Sequence, residues 1–330
     1  MKVLCVLNPQ AAGGLAAARW PSVAGLLRSF RLDYRLLDDR TTDIGRQLVA
    51  CLDQEGPESF SAIAGIGGDG THSALINALM RYRGAREGVV LPPYAFVPLG
   101  TGNDIAKSFG LNCREDLFVN DLRRAVSTIV HGADYWLDLG VLNGTYFADA
   151  LTIGVDSRIL HERNVRRARM QRNPLLRFAS RGFFLYTLCT GLLLWKHEPL
   201  GVTVTVDGVR WHTGPTINVV VNNTRIYAGE FDFCADAYAN DGLLDVVVFT
   251  DPADYLRQYL LAIRHNPHKI RRFSERLSRV SSRTQGRHIL IEVAKSEAAQ
   301  LDGEEIAAAD RFDISVVPKA IHIKTPAEPA

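Results

Sequence analysis

Residues 61–80 read SAIAGIGGDGTHSALINALM. Ser61–Ile66 is a small-residue strand, Gly67-Gly68-Asp69-Gly70-Thr71 a turn, and Ser73–Tyr82 a helix. Glycines in such a turn allow positive φ and let the backbone come close to a phosphate. The N–H groups at the helix start, carrying roughly +0.5 of a charge, then face the anion. A plain glycine turn between strand and helix fits the same letters, so this stretch alone leaves both readings open.

Working outward, the first third alternates strand and helix. Lys2–Leu7, Leu32–Leu37 and Tyr94–Val97 read as strands, and Leu15–Phe30 and Asp43–Leu52 as helices. This grammar predicts a doubly wound α/β nucleotide-binding domain over residues 1–133, with ligands at the carboxyl ends of its strands. From Tyr135 the pattern changes to short segments rich in Val, Ile and Thr: Trp136–Leu142, Tyr146–Leu151, Gly201–Val206, Thr216–Val221, Leu243–Phe249, His288–Val293 and Phe312–Val317. Gly, Asn and Asp separate them, as in an antiparallel β-sandwich. The predicted second domain spans 134–309, interrupted by an arginine-rich helical insert near Ser157–Trp195 and a basic helical stretch over Pro252–Arg283. Residues 310–330 are expected to return to the first domain.

The chain has 330 residues, 47% hydrophobic and 22% charged, with a net charge of +2. That is the balance of a soluble globular protein, and it argues against a polycation that binds nucleic acid nonspecifically. The five cysteines are scattered and never spaced CxxC, which disfavours zinc and disulfides and fits a reducing cytosol. The longest apolar run, Phe183–Trp195, falls short of the roughly 20 residues that a membrane span needs.

Pro98-Leu99-Gly100-Thr101-Gly102-Asn103-Asp104 also follows a strand and precedes a helix, Ile105–Phe109. Asn103 or Asp104 could equally be a simple N-cap. A third turn, from Asn8-Pro9 to Gly13-Gly14, follows the first strand. Three such turns on successive strand ends point to one nucleotide cleft, and no GxxxxGK[ST] motif is present. Phosphoryl transfer to an alcohol needs a carboxylate to take the proton, and Asp302-Gly303-Glu304 offers two. A hairpin turn with solvated acids is the plainer reading of that triplet. Asp241-Gly242 fits a hairpin and a metal ligand equally well. His72 reads as a helix surface residue.

With Asn77, Ala106, Gly154-Val155-Asp156, Ala237 and Asp241-Gly242-Leu243-Leu244-Asp245 added in order, these motifs resemble the diacylglycerol kinase catalytic-domain family, which includes sphingosine, ceramide and bacterial lipid kinases. The likeness runs through nearly the whole chain. It implies ATP bound by Asn8, Pro9, Gln10, Ala11 and Ala12, by Thr41, by Gly67, Gly68, Asp69, Gly70, Thr71, His72 and Ser73, and by Gly100, Thr101, Asn103 and Asp104. It implies Asp69 beside Mg²⁺ and Glu304, helped by Asp302, as the catalytic base. A structural Mg²⁺ would lie at Asp241 with the Tyr238 and Leu243 carbonyls. Departures from the family pattern are Ser73 and Ala74 after the glycine turn, Asp149 in place of an asparagine, and Glu230 and Ala235 ahead of the DG turn.

The implied activity is ATP- and Mg²⁺-dependent phosphorylation of a lipid hydroxyl, diacylglycerol first and a ceramide or sphingoid base second. NAD kinases and phosphofructokinases share the GGDG loop, and a catalytically silent nucleotide or lipid binder is the rival outside enzymes. Between Ser157 and Gly182 lie Arg158, Arg163, Arg166, Arg167, Arg169, Arg172, Arg177 and Arg181 against one acid, Glu162. A solvated basic face would explain them. For a kinase whose acceptor lies in a bilayer, a helix on an anionic membrane is the preferred reading. A cytoplasmic protein, peripheral at the inner face of the membrane, is therefore expected. No nucleic-acid partner is expected, and a homodimer is compatible with the sequence.

Overall fold

The computed structural model describes residues 1–112, 118–171, 198–227, 231–232, 237–253, 255 and 282–327. Its first part is built from β1 (Lys2–Leu7), α1 (Ala11–Ser29), β2 (Asp33–Leu37), α2 (Ile44–Glu55), β3 (Ala62–Gly67), α3 (Asp69–Gly84), β4 (Tyr94–Pro98), α4 (Asp104–Ser108) and α5 (Phe118–His131). The strands are parallel in the order β2-β1-β3-β4. Along β1 the side chains alternate between two cores, because successive strand residues face opposite ways. Leu4 and Val6 join Leu48, Leu52, Leu75 and Leu79 of α2 and α3 on one face. Val3, Cys5 and Leu7 join Val23, Leu27, Leu122 and Val126 of α1 and α5 on the other. A sheet buried on both faces explains why these strands read as continuous apolar runs.

The second part contains β5 (Ala133–Leu142), β6 (Thr145–Phe147), β7 (Ala150–Gly154), α6 (Val155–Gln171), β8 (Leu200–Val206), β9 (Val209–Thr216), β10 (Asn218–Asn222), β11 (Ile226–Tyr227), β12 (Phe231–Asp232), β13 (Leu244–Phe249), β14 (Ser282–Gly286), β15 (His288–Leu301) and β16 (Glu304–Thr325). Residues 289–293 of β15 pair with β8, whereas residues 299–301 pair with β7. The irregular stretch between Glu292 and Ala299 thus lets one strand serve both layers of a β-sandwich. Val204, Ile289, Ile291 and Phe312 meet Ile153, Val219, Val221 and Val246 in its core. Asn143-Gly144, Asp207-Gly208 and Asp302-Gly303 all have positive φ at tight hairpin turns, which is the conformation those dipeptides favour. The far end of β16 pairs in parallel with β4, Ile323 with Tyr94 and Lys324 with Ala95. One strand therefore starts at the Asp302–Gly303 turn and ends in the α/β sheet.

Several sequence expectations shift. The helix expected from Ser73 begins at Asp69, so the glycine turn itself supplies its first turn. The single strand expected over Tyr146–Leu151 is split at Ala148-Asp149, for a reason given below. Arg283 lies in β14, ion-paired with Asp245 at 2.7 Å, instead of in a basic helix. Most of Ser157–Trp195 and of Pro252–Arg283, with Arg172, Arg177 and Arg181, lies outside the described residues. Among the described residues no helix is long and apolar enough to cross a membrane.

Candidate active site

The strand-end turns are joined by named contacts. Asn8, at the end of β1, donates from Nδ2 to Thr71 Oγ1 at 2.9 Å and accepts the Gln10 N–H on Oδ1 at 3.1 Å. Behind Pro9 and Ala11, Ala12, Gly13 and Gly14 all have positive φ, which turns the chain sharply inside the first turn of α1. The Gly67 carbonyl accepts the Leu99 N–H at 2.7 Å, tying the β3 turn to the β4 turn. Gly68 and Gly100 touch backbone to backbone: a side-chain carbon added to Gly100 would sit 2.2 Å from the Gly68 Cα. Only glycine tolerates that approach.

Asp69 opens α3, yet its carboxylate serves the neighbouring turn. Oδ2 accepts the Asn103 N–H at 2.6 Å and Oδ1 the Ile105 N–H at 3.3 Å. Asn103, left-handed at φ 59°, accepts the Gly100 N–H on its own side-chain oxygen at 2.8 Å. Thr101 is exposed between Gly100 and Gly102 in this turn. Gly68, the residue before α3, has no side chain to cap the helix.

The Asp302–Gly303 turn arrives from the sandwich side. A carbon added to Gly70 would lie 2.6 Å from Glu304 Oε1, which places that carboxylate against the first turn of α3. Asp302 is 4% exposed, and its carboxylate accepts the N–H groups of Ala148, Asp149 and Ala150 at 3.0, 2.8 and 3.2 Å. Those three bonds divert the backbone and split the expected strand into β6 and β7. Asp302 is therefore occupied as the brace of the turn. Burial raises its pKa from 3.8 to about 6, against the three N–H donors, with Asp69 adding repulsion.

Asp149 is a further buried carboxylate, bonded by the Thr224 hydroxyl. Burial first, then repulsion from Asp104 and Asp302, drives its pKa well up. Burial also raises Asp69, against the backbone donors around Asn103 to Ile105. Asp69, Asp104, Asp149 and Asp302 thus share one electrostatic neighbourhood. In sequence Asp149 stands out only as a departure from the family pattern, and Asn223 carries no motif. The Asn223 amide donates to the Asp138 and Ala148 carbonyls, both at 2.8 Å, and supports the same turn. The polar Asn222-Asn223-Thr224 cluster directly after an apolar strand was the available signal.

The other expected site residues are placed differently. Thr41, in the loop after β2, is engaged with Asp39, donating its backbone N–H at 2.8 Å and its hydroxyl at 2.7 Å. The bonds that join the glycine turns do not include it. Ser73 is half-buried in α3, and its carbonyl accepts from Asn77 at 3.0 Å. His72 is fully buried, which corrects its reading as a surface residue. Its ring packs edge-on against Tyr94 and Phe96, with Nδ1 2.7 Å from the Tyr94 hydroxyl. Only its backbone belongs to the glycine turn, and burial lowers its pKa to about 3. At the DG turn, Asp241 accepts the Leu243 N–H at 2.9 Å, and the Tyr238 carbonyl accepts the Asp241 N–H at 3.3 Å. Buried Asp138 accepts the Gly242 and Lys319 N–H groups, both at 2.6 Å. Among the described residues no cluster of three His, Cys, Asp or Glu side chains has the spacing of a metal site.

Comparison with known proteins accords with this architecture. The diacylglycerol kinase catalytic domain matches residues 2–139, and the YegS C-terminal NAD kinase beta sandwich-like domain matches residues 151–325. A YegS-like lipid kinase of an Enterobacter species is 26% identical over 81% of this chain and 78% of its own length. A diacylglycerol kinase of Mycobacterium tuberculosis is 27% identical over 75% of this chain and 72% of its own. The crystal structure of a diacylglycerol kinase from Bacillus anthracis superposes with a TM-score of 0.68 at 18% identity, covering 99% of this chain and 97% of that one, a likeness of fold. With an α/β domain and a β-sandwich that together account for nearly its whole length, the chain belongs to the diacylglycerol kinase catalytic-domain family of lipid kinases.

Proposed function

We propose that the chain moves the γ-phosphate of ATP to the hydroxyl of a membrane lipid, diacylglycerol before ceramide or a sphingoid base, with Mg²⁺ as the counter-charge. The observation that carries this reading is Glu304 Oε1 lying against Gly70, at the uncapped start of α3. A helix start binds phosphate through N–H groups and dipole. A carboxylate a few ångströms away is where an attacking hydroxyl must lose its proton.

The surroundings suit a triphosphate. Glycines at 68, 70, 100 and 102 let the two turns, Glu304 and Asp69 come together where an added side-chain carbon would clash, and Asn8 braces Thr71 beside them. Asp69 and Asp104 carry the negative charge that would hold Mg²⁺, which when bound neutralises developing charge on the phosphates. Asp69 also sets the Gly100–Asp104 turn, and Asp302 holds the hairpin from which Glu304 projects. Glu304 accepts the lipid proton, while Asp302 positions it. At the DG turn, Asp241 with the Tyr238 and Leu243 carbonyls would hold a second, structural Mg²⁺; Asp241 and the Tyr238 carbonyl each accept one N–H there.

Incubating the chain with labelled ATP, Mg²⁺ and a total lipid extract, followed by mass spectrometry of the products, identifies the acceptor. A phosphorylated diacylglycerol is expected, whereas product only with NAD or a sugar phosphate would remove the lipid reading. Glu304→Gln should lower turnover by about a thousandfold with ATP affinity kept. Equal turnover would take Glu304 out of the role of base.

A further inference from the structure

From the geometry of α6 against the β15–β16 hairpin, we infer that Glu305 is a positioning residue which, held by His161 and Asn164, sets the direction of Glu304. The inference rests on Glu304 being the base. Neighbouring residues of a strand point to opposite faces. Glu304 lies against Gly70, and Glu305 turns the other way, toward α6.

There Glu305 Oε2 lies 2.9 Å from His161 Nδ1, and Oε1 accepts from Asn164 Nδ2 at 2.7 Å. Arg158, His161 and Asn164 are spaced three apart and form one stripe along the helix. One turn earlier, Arg158 grips Glu297 of β15 with two bonds of 2.6 Å. Earlier still, Asp156 accepts from Asn218, Tyr227 and Tyr255 at 2.7, 3.1 and 2.5 Å. Gln300, the cross-strand partner of Glu305, donates to the Tyr227 hydroxyl at 2.9 Å and so joins the same network.

Both members of the Gln300–Glu305 pair are thus tethered on the α6 side, one pair before the Leu301–Glu304 pair that closes on the turn. An exposed contact such as Glu305–His161 is ordinarily weak. Here the helix is already fixed by Arg158 and Asp156, so little further freedom is lost in forming it. The clamp resists rotation of the strand about its axis, the motion that would carry Glu304 away from the cleft.

The test compares Glu305→Ala, Glu305→Gln, the pair His161→Ala/Asn164→Ala, and their combination, with Glu304→Gln alongside. Glutamine can still accept from Asn164 and donate to a neutral imidazole. Glu305→Ala should lose about tenfold in kcat, with the KM for ATP and the Tm unchanged. Glu305→Gln should recover to within about twofold of the parent. The His161/Asn164 pair should match Glu305→Ala, and the combination should add no further loss. Full kcat in Glu305→Ala, a parallel fall in Tm, or losses that multiply would overturn the inference. An active Glu304→Gln would instead overturn the base on which it rests.

Discussion

At the scale of single residues, two glycines of the cleft separate folding from chemistry. A methyl at Gly100 meets the Gly68 backbone at 2.2 Å, and neither turn can yield without parting from the other. Gly100→Ala should lose ATP binding and lower the Tm, read by calorimetry and by displacement of a fluorescent ATP analogue. A methyl at Gly70 meets only the end of the flexible Glu304 side chain, at 2.6 Å. Gly70→Ala should keep its Tm but drop kcat, because the carboxylate must swing aside. His72 yields a prediction in pH. Its folded pKa, about 3, lies below the ordinary 6.5, so the unfolded chain binds more protons between those values. Its contribution is present above pH 6.5 and is lost as the pH falls, by about 1.4 kcal/mol per unit at most. His72→Leu should therefore cost most near pH 8, with the difference shrinking toward pH 5 in urea unfolding curves. Asp302, raised to about 6 from 3.8, acts in the opposite sense, stabilising below 3.8 and losing that contribution as the pH rises through 6. Both proteins carry it, so it cancels in the difference. The sequence contained the signal for His72: it stands three and four positions before buried Leu75 and Ile76, on the inward face of the helix.

At the scale of elements, the legible part of the chain is the part that buries both faces or alternates cleanly. β1, β3 and β4 are short apolar runs ended by glycine or proline, and their positions follow directly. β9, Val209–Thr216, carries Arg, His, Thr, Gly and Pro, and is largely exposed, so no apolar rhythm marks it. The start of β16, EEIAAADR, is charged and alanine-rich, and its strand form comes from pairing with β15. Tertiary pairing there overrides a poor intrinsic preference. The Ala148-Asp149 break was equally hidden, since its cause, Asp302, lies more than 150 residues away in sequence. Asn77 is a conspicuous polar residue in α3, and its partners explain it. Its amide donates to the Tyr146 carbonyl at 2.8 Å and its oxygen accepts the Tyr146 N–H at 2.9 Å, bolting α3 to β6. Asn77→Ala should cost about 2 kcal/mol in urea unfolding, because both backbone groups of Tyr146 lose their partner. Asn77→Asp keeps only the acceptor and should recover part of that loss.

At the scale of the whole molecule, the three glycine turns belong to the α/β sheet and the candidate base to the sandwich, and β16 runs continuously from one to the other. The proposed catalytic geometry thus depends on two cores holding one strand at opposite ends. On the proposed function, the hydroxyl of the lipid acceptor would have to reach Glu304 from a bilayer. The structure narrows the arginine set once offered for that surface: Arg158 is committed to Glu297, and Arg166 pairs with Glu162 at 2.6 Å. Of the segment's other arginines, Arg163, Arg167, Arg169 and Arg172 are the candidates that the sequence offers for anionic headgroups. Each cation near an acidic surface contributes about 1 kcal/mol, screened by salt within a Debye length. Replacing these four by glutamine should weaken sedimentation with phosphatidylglycerol vesicles by about a hundredfold or more and flatten its salt dependence. Turnover of a dispersed short-chain diacylglycerol should stay within about twofold of the parent. Vesicle affinity unchanged at low salt would show that these arginines form a solvated face and that the kinase meets its lipid through another surface.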